Sequence, residues 1–228
     1  MCFIYILLII IFFKIIDRMK RTYVLILTLC LSLFAAAKTE LGIGVIVIDF
    51  SENTVVEFYD SPELNLKPVK SIMFYDDHVN QVWKIKNMET HKSWLKPEAY
   101  NPLYDLLAFR CISKKDGWIE VMVNNNTGQT FWIKSSDITL FSDWLTFLQK
   151  GKCISRGKTE VQILEKPEEN AKQIEFNGKD CFGIKSMKDE WIEITIPMED
   201  KKGDSEEKTG WMKWKNGNDL LIKYSIGS

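Results

Sequence analysis

Asp116-Gly117-Trp118-Ile119-Glu120-Val121 returns further along the chain as Asp189-Glu190-Trp191-Ile192-Glu193-Ile194. Four of the six positions are identical and a fifth exchanges Val for Ile, which marks an internal repeat. Upstream, Val56-Glu57-Phe58-Tyr59-Asp60-Ser61-Pro62-Glu63 matches Val161-Gln162-Ile163-Leu164-Glu165-Lys166-Pro167-Glu168. Downstream, Thr130-Phe131-Trp132-Ile133-Lys134 matches Thr209-Gly210-Trp211-Met212-Lys213. Three blocks thus recur in one order: a strand ending at a Pro turn, a strand opening with Trp, a hairpin, and a second strand with Trp.

Alternation with a period of two supports strands throughout. Ile119, Val121 and Val123 share one face and Trp118, Glu120 and Met122 the other; Ile192, Ile194 and Ile196 oppose Trp191, Glu193 and Thr195. The aliphatic face is expected to form the core, and the Trp/Glu face to be at least partly wet or to meet another surface. Asn124-Asn125-Asn126-Thr127-Gly128 and the charged stretch 199–208 read as hairpin tips. Pro62 and Trp118 lie 56 residues apart but Pro167 and Trp191 only 24, so the first copy holds an insertion of 32 residues between about 75 and 105. Within it Gln81-Val82-Trp83-Lys84-Ile85-Lys86 is strand-like. One helix is expected, over residues 142–150, with Ser142 as its N-cap, linking the copies.

The chain of 228 residues is 46% hydrophobic and 27% charged, the balance of a globular protein. Thirty Lys and Arg against 31 Asp and Glu leave no basic excess to neutralise a phosphate backbone, so nucleic acid is not an expected partner. Residues 3–16 and 23–34 are apolar runs, each shorter than the roughly 20 residues that span a bilayer. The second has the parts of a secretory signal: Lys20 and Arg21, an apolar centre, and Ala35-Ala36-Ala37. Cleavage is expected near Ala37, with Met19 as the true start, which places the mature chain in the periplasm or outside the cell. That chain carries 26 basic and 30 acidic side chains. It keeps Cys111, Cys153 and Cys181, an odd count that leaves at least one unpaired within the chain.

The order of blocks resembles the bacterial SH3 (SH3b) family: a first strand ending near Pro, Asp-Gly-Trp with alternating residues after it, a Thr-Gly-Trp strand, and a closing apolar strand. The second copy fits from Val161 through Trp211 to Leu220-Leu221-Ile222. In the first, Phe131 stands where the family has Gly, and the insertion interrupts the spacer. The resemblance implies an all-β fold of two tandem SH3-like small barrels. The divisions are residues 1–37 as targeting segment, 38–150 as a first barrel with the insertion, and 151–228 as a second. Barrels this small bury little, so the two are expected to pack together with Trp residues in the seam.

The same resemblance implies ligand-binding aromatics at Tyr59, Trp118, Trp132, Trp191 and Trp211, which could stack on sugars or clamp an extended cell-wall peptide. The alternative is that they cover the barrels or fill the seam. The first functional reading is an exported, non-catalytic binding module for peptidoglycan or another cell-envelope ligand. The second is a structural partner of an envelope protein. The third is a small cysteine hydrolase using Cys111 with His78 or His91, although Cys111 lies in a buried-strand pattern. Asp76-Asp77-His78 offers metal-ligand atoms, but three neighbouring polar residues usually face water. Asn125-Asn126-Thr127 matches a glycosylation acceptor. No phosphate loop or zinc-type Cys spacing is present, so no cofactor or metal is expected.

Overall fold

The computed structural model describes residues 40–49, 51–157, 161–176, 178–196 and 208–226. The expected targeting segment and its cleavage point lie outside the described residues. The chain divides into two compact units, Met1–Lys38 and Thr39–Ser228, and the following concerns the second.

Among the described residues that unit is all-β, with two short α-helices and one 3-10 turn at Pro102–Tyr104. Its strands are β1 (Gly44–Ile48), β2 (Val55–Phe58), β3 (Lys70–Asp77), β4 (Val82–Ile85) and β5 (Ala99–Asn101). There follow β6 (Leu106–Lys115), β7 (Trp118–Asn124), β8 (Gln129–Lys134), β9 (Thr139–Ser142) and β10 (Gly151–Arg156). The last are β11 (Gly183–Lys188), β12 (Trp191–Ile196), β13 (Lys208–Lys213), β14 (Lys215–Asn216), β15 (Asp219–Leu220) and β16 (Ile222–Ile226). Helix α1 (Met88–His91) lies in the insertion and α2 (Trp144–Gln149) between the halves.

In the first half the main sheet runs β8-β7-β6-β1-β9, with β5 also on β6, and β2-β3-β4 forms a separate meander. In the second half β11-β12-β13 pair in sequence and β10 pairs with β16. Among the described residues the pairing forms five separate sheets, and none of them closes on itself. The halves nevertheless share local detail. A β-bulge falls between Cys111 and Ser113 in one and between Ile184 and Ser186 in the other. Asp116 and Asp189 both take positive φ at the next turn, at 48° and 53°. The hydroxyls of Ser113 and Ser186 each donate to a glutamate across the hairpin, Glu120 and Glu193, at 2.8 Å.

Two hydrophobic cores meet at β1 and β6. Ile46 and Ile48 of β1, with Leu107, Phe109 and Cys111 of β6, face a core completed by the β2-β3-β4 meander, Trp94 and Leu95. Val45 of β1, with Leu106 and Ala108 of β6, faces a second core shared with α2 and the second half. Burial on both faces explains why residues 106–109 read as an unbroken apolar run rather than as an alternation. Of the two expectations for the Trp/Glu face, β7 takes the second at its tryptophan: Trp118 and Met122 are 5% and 2% exposed and meet other protein surface. The tryptophans of the shared core are Trp144 and Trp214, with ring centroids 5.7 Å apart, and none of the five candidate aromatics belongs to that core. Trp144 reaches this position because α2 presents it to the seam, where its Nε1 donates to the Leu41 carbonyl.

The N-cap of α2 is Asp143, whose carboxylate accepts from the Thr146 N–H at 2.8 Å. The expected cap, Ser142, is instead the last residue of β9 and is buried. A polar hub also sits in the interior. Glu98 accepts from Arg110 Nε at 2.5 Å, from Asn125 Nδ2 at 2.6 Å, and from the hydroxyl of Tyr224 in β16. The glycosylation acceptor Asn125 therefore has its amide nitrogen engaged inside this hub. Cys153 and Cys181 form a disulfide that ties β10 to the segment just before β11, while Cys111 is a free, buried thiol.

Candidate functional site

The hairpin of β7 and β8 sets Trp118 directly opposite Lys134. Just past β2, Tyr59 joins this hairpin by a two-way backbone bridge to Trp132, each N–H donating to the other carbonyl at 2.8 Å. The bridge brings the Tyr59 ring edge-on to Trp118, with centroids 5.1 Å apart at 83°, a favoured aromatic geometry. Lys134 Nζ lies 5.2 Å from the Tyr59 centroid and 5.6 Å from that of Trp118, within cation–π range. The Tyr59 hydroxyl donates to Glu57 Oε2 at 2.6 Å, and this bond to a carboxylate pushes its pKa up to about 12.

Beyond the bridge β2 and β8 part. The Phe74 N–H donates to the Thr54 carbonyl, which puts Thr54, Val56 and Phe58 in the hydrogen-bonded positions facing β3. The backbone groups of Val55 and Glu57 therefore point the other way, toward Lys134 and Ser136. Between the two strands opens a cleft of about 180 Å³ lined by Val55, Glu57, Tyr59, Lys134, Ser136 and Thr139, among others.

The structure thus unites Tyr59, Trp118 and the backbone of Trp132, but not as an open aromatic platform. Tyr59 and Trp118 are 3% and 5% exposed, because the ring pair seals the end of the sheet. The groups most presented to solvent are Lys134 and Glu57, and the Trp132 side chain is half-buried. Trp191 and Trp211 stand in the second half, half-buried, and no ring contact joins them to the first set among the described residues. There Leu164 takes the place of Tyr59, bridged to Trp211. Lys213, opposite Trp191, lies 5.3 Å from that ring and is ion-paired with Glu169, with Glu190 at 3.9 Å. Sequence reasoning missed the role of these lysines, although Lys134 and Lys213 occupy the same place in the repeated Trp block.

The other sequence candidates resolve separately. Cys111 is 0% exposed and burial pushes its thiol up to about 11; its Sγ contacts the Ser113 carbonyl, an environment that disfavours a nucleophilic thiolate. Asp77 is held by Lys84 at 2.5 Å and by the Asn80 amide, which keep its carboxyl near 2, while Asp76 pairs with His78 at 3.0 Å. No group of three metal-ligating side chains occurs among the described residues, and none of their helices is long and apolar enough to cross a membrane.

No protein-family model matches the chain, and no curated protein sequence does. Among solved structures it is similar to NlpC2 from Trichomonas vaginalis, at 12% identity and a TM-score of 0.30. The match covers 82% of this chain and spans about half of the other, 49%. That likeness is too low to carry an assignment of fold family or function.

Proposed function

We propose that the protein is an exported, non-catalytic binding module for cell-envelope material, built from two divergent SH3b-like halves. The signal-like residues 20–37 support export. The recognition surface in this reading is the cleft at Tyr59, Lys134 and Glu57.

One observation carries it. In the second half the lysine opposite the Trp is neutralised by Glu169, whereas Lys134 forms no ion pair among the described residues and caps an aromatic pair beside a cleft. A cation left without a carboxylate, next to unpaired strand edges, suits an extended peptide that bears a carboxylate, such as a cell-wall stem peptide. The test is retention of residues 38–228 on purified peptidoglycan beside a Lys134→Gln variant, which leaves the buried ring pair in place. Retention of the parent and its loss in the variant is the expected result. Equal retention of both would remove the cleft as the site, and retention of neither would remove the wall as the ligand.

A second reading, an assembly partner of another envelope protein, draws on the outer face of the meander. There Val55, Met73 and Tyr75 form an exposed apolar stripe, Val55 and Met73 being direct cross-strand neighbours. A co-purified envelope protein lost on Met73→Lys would favour it.

A further inference from the structure

The insertion holds a second cavity, of about 390 Å³, lined by Asp76, His78, Gln81, Val82, Trp83 and Asp105. The register of β3 on β4 sets Asp76 directly across from Trp83, so a carboxylate and an indole stand side by side on one face. Trp83 is half-buried and packs against the core of the first half, which holds its ring in place at the edge of that core. The polar lining combines two carboxylates, an amide and an imidazole, with His78 bonded to Asp76 at 3.0 Å, and among the described residues no Lys or Arg belongs to it. Asp77 takes no part, being occupied by Lys84 and Asn80.

We propose that this cavity binds a pyranose ring of a glycan, with the sugar's C–H face against Trp83 and its hydroxyls bonded to Asp76, Gln81 and Asp105. The chemistry selects this class in three ways. An anion is disfavoured, because two carboxylates face the space with no Lys or Arg beside them. A bare metal ion is disfavoured, because no three ligating side chains converge among the described residues. A hydroxyl both donates and accepts, as a lining of carboxylates, amide and imidazole requires, and an indole beside them offers an apolar surface of ring size. Gln81 in the β3–β4 turn and Asp105 at the end of the turn over residues 102–104 reach the wall through left-handed φ of 54° and 48°. The site is separate from the cleft at Lys134 and does not depend on that reading.

The test is a ¹H–¹⁵N NMR titration of residues 39–228 with cellotetraose, its N-acetylated counterpart and its free-amine counterpart. The Trp83 indole resonance is assigned by its loss in Trp83→Phe. Saturable shifts of that resonance with at least one oligosaccharide are expected. Asp105→Asn and Gln81→Asn keep residues that tolerate the left-handed backbone and should weaken the binding about tenfold, with the thermal midpoint unchanged. Tightest binding by the free amine would assign the carboxylates as ion-pair partners, and equal binding would assign them as hydroxyl acceptors; both support the site. No shift at Trp83 with any of the three up to about 10 mM, or parent-like affinity in both variants, would overturn it.

Discussion

Tyr59 donates its hydroxyl proton to a carboxylate, and that single bond has a measurable consequence. Its pKa rises from 10.0 to about 12, so the folded state holds the proton more tightly than the unfolded chain. The resulting stabilisation is complete below pH 10 and is lost as pH climbs from 10 toward 12. Urea unfolding across that interval should show a falling midpoint, and Tyr59→Phe should flatten this part of the profile. Cys111 gives a second expectation. With its thiol at 0% exposure, a thiol reagent should label the native protein no faster than it opens, and should label it at once in denaturant. Gly42 is a third constrained position. It takes φ of 68°, and a Cβ there would lie 2.1 Å from the Cys111 carbonyl oxygen, so Gly42→Ala should displace the start of β1.

At the scale of elements, the cap of α2 is the simplest test. Asp143→Ala removes the acceptor for the Thr146 N–H and should cost about 1 kcal/mol in a denaturant melt. Thr146 also holds the Asp143 carboxyl below its usual range, so the cap should weaken as pH falls through that depressed value. This helix also shows where sequence reading stops. Its existence and end were legible, but its first residue was not, because Ser142 is drawn into β9 by pairing with Val45 across the sheet. The Trp-headed strands and the turn at residues 124–128 were legible from alternation and turn chemistry, and Gly128 does take a positive φ there, of 73°. What the chain does not display locally is partnership. The edge-on pairing of Tyr59 with Trp118 depends on a bridge across 73 positions, from Tyr59 to Trp132. The choice of Trp144 and Trp214 for the seam depends on α2 meeting the second half. An aromatic candidate list could therefore be written, but not which of its members stay open to a ligand.

Across the whole molecule, the hub at Glu98 joins the insertion, the first half and β16. Glu98 is 5% exposed, so Arg110→Ala would strand a buried carboxylate and should cost about 3–5 kcal/mol, whereas Tyr224→Phe should cost about 1–3 kcal/mol. Paired denaturation curves would separate the two. The Cys153–Cys181 bond spans 28 positions, and its reduction should lower stability by about 3–4 kcal/mol on a chain-entropy estimate. The two-faced strands β1 and β6 have a further consequence, in time rather than in energy. A ribosome completes both before it has made any of the residues after 150, so Val45, Leu106 and Ala108 wait with α2 but without the second half to cover them. At about 5–20 residues per second, the 78 residues that follow position 150 occupy roughly 4–16 seconds. For that interval the nascent first half presents an apolar flank, and a holding chaperone is what would keep it from sticking to its neighbours.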